Sequence, residues 1–129
     1  MTNELKPSSP LVSIIIRTKN EERWIDHCLS AIETQNMRDY EIILVDNNSE
    51  DRSVKVASKY TENIINVTEF YPGKAINEGI RASQGKYIVI ISGHCIPKNN
   101  IWLEKLIEPL EKDQTGLLAG VYGRQEPLS

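Results

Sequence analysis

Cysteine is scarce in this sequence. There are two among 129 residues, Cys28 and Cys95. Two cysteines without a CxxC pair make no disulfide framework, and their spacing matches no structural zinc site. Excess positive charge is also missing: 15 Lys and Arg face 18 Asp and Glu, a net charge of −3. Nucleic-acid binding by bulk electrostatics is therefore excluded as a working idea. The longest apolar runs are about six or seven residues, far short of the ~20 that a membrane span needs. The first residues, Met-Thr-Asn-Glu-Leu-Lys-Pro, hold no apolar stretch that reads as a signal peptide. A reduced, cytoplasmic chain is the expectation. No GxGxxG follows the first apolar run, and no GxxxxGK[ST] or GxSxG occurs, so the dinucleotide, P-loop and nucleophile-elbow signatures are all absent. What is present is ordinary for one globular domain: 40% apolar and 26% charged residues, without repeats or low-complexity tracts.

The apolar pattern alternates between short β-branched runs and helical stripes. Residues 1–10, with Pro7, Ser8, Ser9 and Pro10, read as a flexible leader to a domain over 11–129. Leu11–Ile16, Tyr40–Val45, Ile64–Val67 and Lys86–Ile91 read as strands buried as in a parallel sheet, and Leu117–Tyr122 as a last one. Between them, helical spacing covers Glu21–Thr34, about 51–60 with Val54 and Ala57 inward, Lys74–Ser83 and a segment from Ile101. Tyr71-Pro72-Gly73 reads as a turn, Gly85 as a helix stop and Pro109 as a helix end or kink. Trp24 and Trp102 fall on apolar stripes and are expected in the core, as is Cys28. His27 is expected at the surface. The order predicts an α/β fold: a Rossmann-like three-layer α/β/α arrangement with a mostly parallel sheet and right-handed crossovers.

Ligands of such sheets bind outside the carboxyl ends of the strands. Three polar clusters fall there: Arg17-Thr-Lys-Asn-Glu21 after strand one, Asp46-Asn-Asn-Ser-Glu-Asp51 after strand two and Ser92-Gly-His-Cys95 after strand four. Each alone reads as caps and turns. Together on one rim they suit a ligand with an anionic part, because free N–H groups at helix starts favour anions.

Three blocks carry a resemblance. Val12-Ser-Ile-Ile-Ile-Arg-Thr-Lys-Asn-Glu-Glu22 resembles the opening VSIIIPTYNEE of family 2 glycosyltransferases. Tyr40–Asp51 is similar to their second strand and VDDGSTD loop. Gly73–Ile88 is similar to their G-x-A-x-N-x-G-I-x-x-A-x-G-x-Y-I segment. The resemblance implies a glycosyltransferase A fold binding a UDP- or dTDP-sugar. It also implies inverting transfer of the sugar to an acceptor hydroxyl in glycan or polysaccharide synthesis. It puts Thr18, Asn20, Glu21, Asp46, Asn48, Asp51, Lys74 and Gly93 at the nucleotide-sugar. The location it implies is cytoplasmic, or peripheral at the cytoplasmic face of the membrane.

Two departures stand out. Family members usually carry Asp-x-Asp after strand four to hold a divalent metal, Mn or Mg; here the stretch is Ser92-Gly93-His94. Three readings of His94 stand: a metal ligand, in which case nitrogen favours Mn²⁺ over Mg²⁺, an imidazole that meets the phosphates directly, or a plain loop histidine. Cys95 beside it is not read as a nucleophile. Second, members of this fold usually run past 200 residues, and their later half supplies the acceptor site and the general base. The base is therefore expected beyond residue 129, and the fold is expected to be incomplete. Gly120–Pro127 resembles a stretch of rhamnosyltransferase-like members. The alternative function is a catalytically incomplete nucleotide-sugar-binding module or partner subunit, with self-association through an uncovered sheet edge.

Overall fold

The computed structural model describes residues 9–68, 72–113 and 115. Most of the leader, Tyr71 and the strand expected at Leu117–Tyr122 lie outside the described residues. The elements in chain order are β1 (Val12–Thr18), α1 (Ile25–Glu33), β2 (Tyr40–Asp46), α2 (Ser53–Ala57), β3 (Ile64–Asn66), α3 (Pro72–Ala82), β4 (Tyr87–Ser92) and α4 (Trp102–Lys112). The strands form one all-parallel sheet in the order β3-β2-β1-β4. The chain steps outward from β1 to β3, then returns to place β4 on the other side of β1. The crevice between β1 and β4 is therefore the topological switch point, where open α/β sheets bind ligands.

β1 is central, and its aliphatic run is buried on both faces. Val12, Ile14 and Ile16, with Leu44 and Val89 beside them, meet Ile25, Cys28, Leu29 and Ile32 of α1, Ala57 of α2, and Leu103 and Ile107 of α4. Ile15, Ile43 and Val45 turn to the other face, against Ala75 of α3. Each such side chain taken from water contributes about 1.5–3 kcal/mol. α3 approaches closely because of Gly79: a Cβ there would stand 2.6 Å from Cγ2 of Ile15.

Several boundaries differ from the sequence reading. α1 begins at Ile25 and not at Glu21, because Glu21–Trp24 close a turn whose Glu21 C=O accepts from the N–H groups of Trp24 and Ile25, both at 2.9 Å. That frees the Glu21 side chain from the helix. α2 ends at Ala57, with hydrogen-bonded turns on to Tyr60, and Val54 is half-buried where Ser53 and Ala57 are buried. Pro72 and Gly73 belong to α3 rather than to a turn; proline suits a first helical position. Gly85 is not a helix stop in a left-handed conformation. It is small because a Cβ would meet the Ser13 backbone nitrogen at 2.5 Å. Pro109 sits within α4, which runs on to Lys112. Trp102 packs against the core, but Trp24 lies outside it, half-buried under the Arg23 guanidinium at 4.8 Å.

Candidate functional site

The loops after β1 and β2 are laced together at the carboxyl rim. Asp46 is 2% exposed. Its carboxylate accepts from the Thr18 hydroxyl at 2.7 Å, the Ser49 hydroxyl at 2.6 Å and the Ser49 N–H at 2.8 Å. Three of about four acceptor directions are thus used. Asn20 (φ 53°) and Asn48 (φ 51°) take the left-handed conformation, which Asn tolerates better than most side chains. The Asn20 N–H donates to the Ser49 hydroxyl, and its side-chain oxygen accepts from the Glu50 N–H, both at 2.8 Å. Asn48 receives the Lys19 ammonium on its C=O at 3.3 Å.

Asp51 anchors the far end of the same loop. It accepts from the Ser53 hydroxyl at 2.6 Å, the Ser53 N–H at 2.9 Å and the Glu22 N–H at 3.0 Å. Desolvation alone would raise this carboxyl. The Ser53 hydroxyl and the N–H groups of Ser53 and Glu22 outweigh it and hold Asp51 below its ordinary value of 3.8. The Ser53 hydroxyl in turn accepts from the Glu21 N–H at 2.7 Å. Thr18, Asn20, Asn48, Asp46 and Asp51 are thus the braces of the rim.

The third cluster reaches outward. Gly93 is buried, and its N–H donates to the Arg17 C=O at 2.9 Å. A Cβ on it would meet Thr18 Cγ2 at 2.8 Å and Glu21 Cγ at 3.2 Å. Its smallness lets the exit of β4 lie against β1 and brings His94 to Glu21. His94 Nδ1 stands 2.7 Å from Glu21 Oε2, with the imidazole 59% exposed and the glutamate 18%. His94 Nε2 stands 3.1 Å from the Ser92 hydroxyl, which is also 3.3 Å from Cys95 Sγ. When Nδ1 carries the proton toward Glu21, Nε2 is an acceptor held next to Ser92. Lys74 lies in the first turn of α3, which the chain enters from the carboxyl end of β3.

Among the described residues, no three His, Cys, Asp or Glu side chains converge where a metal ion could be held. His94 has both nitrogens engaged, and Asp46 is enclosed. These residues do not fit a resident divalent ion. A shallow concavity lined by Tyr40, Glu41, Ile42, Lys59, Tyr60 and Asn63 lies at the amino end of β2, away from the rim. The sequence reading missed the Glu21–His94 contact, since helical spacing placed Glu21 in α1. It placed Arg17 in the rim cluster, but did not show its Nε, which is buried without a hydrogen-bond partner.

This geometry accompanies a family match. The sequence model of Glycosyl transferase family 2 matches residues 13–128, and the chain belongs to that family. It is 30% identical over 121 residues to the uncharacterized glycosyltransferase EpsJ of Bacillus subtilis (strain 168), covering 90% of this chain and 35% of the relative. The chain thus spans about a third of the length of that relative. Among solved structures, the mannosyltransferase PcManGT from Pyrobaculum calidifontis, in complex with GDP-Man and Mn²⁺, has a TM-score of 0.75. Its identity is 22%, over 83% of this chain and 34% of that one. S. aureus TarS 1-349 in complex with UDP-GlcNAc has a TM-score of 0.71 at 22% identity, over 92% and 37%. Those likenesses show the fold.

Proposed function

We propose that this chain is the donor-binding part of an inverting glycosyltransferase that moves a sugar from a nucleotide-sugar to an acceptor hydroxyl. The observation that carries it is the convergence of two loop pairs at the switch point. Thr18 and Asp46 are bonded across β1 and β2, and Glu21 and His94 across β1 and β4. The nucleoside end of the donor lies over the loops braced by Asp46 and Asp51, with Thr18, Asn20 and Asn48 shaping that wall. The diphosphate lies toward Gly93, His94 and Lys74. Solved relatives in this fold are complexes with UDP-GlcNAc and GDP-Man, which supports a nucleotide-sugar as donor. UDP- and dTDP-sugars are the first candidates.

In the transfer, charge builds on the leaving diphosphate, and preorganised donors there lower the barrier. The exposed His94 ring, held by Glu21 through Nδ1, becomes one such donor when Nε2 carries a proton and turns from the Ser92 hydroxyl to a phosphate; metal ligation would need that same nitrogen without its proton. The general base belongs to the acceptor half. Membership of a rhamnosyltransferase-like subset, through the Gly120–Pro127 stretch, is part of the same proposal. So are a cytoplasmic location, or one at the cytoplasmic membrane face, and self-association through the β4 edge. Among the described residues no helix is long and apolar enough to cross a membrane.

A thermal-shift and calorimetric screen of UDP-, dTDP- and GDP-sugars tests the donor reading. Binding of at least one of them is the expected result, and binding of none rejects it. A second reading, a binding module without turnover, is favoured by Ser92-Gly93-His94 in place of two acids. It predicts tight donor binding and no transfer even when the chain is joined to an acceptor domain.

A further inference from the structure

Arg17 is the last residue but one of β1, and no salt bridge among the described residues involves its half-buried side chain. Its backbone pairs with Val45 on one side and Ser92 on the other. Side chains alternate along a strand, so Arg17 points to the face of Ile15 and away from Thr18. Its Nε is buried without a hydrogen-bond partner, and no Asp or Glu among the described residues forms an ion pair with it. Arginine often packs its stem and sends its head to water. That habit explains an exposed head, but not a buried N–H with nothing to donate to. Proteins seldom keep such a group without a reason.

The reason lies in the neighbouring strand. Ser92 stands beside Arg17 in register, at the first position of the stretch where the family usually carries two acids. A carboxylate there would pair with the guanidinium and cancel its charge; a serine does not. The missing metal-ligand set and the unpaired cation therefore occur at one place, the switch-point crevice. Resting on the donor-site reading above, the geometry points to Arg17 as the diphosphate-binding cation of this chain. It takes over the charge neutralisation that a divalent ion would otherwise provide. A guanidinium suits the task, because its fork of N–H groups meets two phosphate oxygens at once. The ligand class is a nucleoside diphosphate or its sugar ester, and a nucleoside without phosphates gains nothing from Arg17.

Calorimetry on the 129-residue chain tests this with UDP, dTDP and GDP and their nucleosides, each in EDTA and in Mn²⁺. The wild-type chain is expected to bind a diphosphate equally well in both. Arg17→Gln should weaken that binding about 10- to 100-fold, the loss of a charged hydrogen-bonding partner, and leave nucleoside affinity unchanged. Arg17→Lys should recover part of it, as a point charge without the fork. The melting temperature of Arg17→Gln should stay close to that of the wild type, since no ion pair among the described residues is lost. Unchanged diphosphate affinity in Arg17→Gln overturns the inference, and so does wild-type binding that EDTA abolishes. If the wild-type chain binds neither nucleotide nor nucleoside under any condition, the donor-site reading itself fails and takes this inference with it.

Discussion

At the residue scale, the rim separates side chains that hold the loops from side chains that face outward. Asp46 is among the holders. Asp46→Asn loses charge-assisted bonds from Thr18 and Ser49 and should lower stability by about 1–3 kcal/mol, measured by urea unfolding. An unchanged midpoint would mean that the carboxylate is not the anchor described here. Asp51 gives a pH signature. Its folded carboxyl is depressed, so its contribution is present above the ordinary value of 3.8 and is lost as pH falls through the lower folded value. Asp51→Asn should therefore narrow the stability gap between neutral and acid pH. The two thiols differ as well. Burial, chiefly, pushes the Cys28 thiol up to about 12, while Cys95 is partly exposed on the rim. Iodoacetamide should alkylate Cys95 in the native chain and reach Cys28 only after unfolding. Equal labelling would contradict the packing of α1.

At the element scale, α3 and the link between α1 and α2 are the informative joints. Gly79→Ala forces a methyl against Ile15, a β-branched side chain with little rotamer freedom in a buried strand. About 1–3 kcal/mol of destabilisation is expected, and a neutral result would show that α3 can slide on the sheet. Tyr60 donates its hydroxyl to Asp26 at 2.5 Å. This bond, ahead of desolvation, raises the phenol to about 12. The raised value favours the protonated form, so the stabilisation is complete below 10.0 and is lost as pH rises through about 12. Tyr60→Phe should flatten that alkaline loss in thermal melts. The four strands of the described residues and the buried Cys28, Leu29 and Ile32 of α1 were legible from period and β-branching alone. The helix ends were not. Glu21 and Glu22 look like a favourable first turn, yet their N–H groups are taken by Ser53 and Asp51, partners 32 and 29 residues away that no local rule contains. Gly85 reads as a stop signal locally, but its smallness serves an approach to Ser13, 72 residues distant.

At the scale of the whole molecule, the sheet is covered unevenly. Among the described residues, α1, α2 and α4 share one face, while α3 alone meets the other. Among the described residues β4 is an outer strand, and on the face it shares with Ile15 it leaves Ile88 and Ile90 38% and 42% exposed. Exposed apolar edges invite pairing, so Ile90→Lys should reduce concentration-dependent association in sedimentation velocity; equal association would place the contact elsewhere. The rim was legible in the sequence because parallel topology puts every strand exit on one side. The particular partners, Glu21 with His94 and Thr18 with Asp46, were not, because they depend on three-dimensional register. Whether this rim holds a nucleotide-sugar is read out by amide NMR mapping of the chain during titration with the best-binding donor. Perturbed resonances are expected to gather at residues 17–21, 46–49 and 92–95. Perturbations gathered instead at Tyr40, Glu41, Lys59, Tyr60 and Asn63, the concavity at the amino end of β2, would speak against that site.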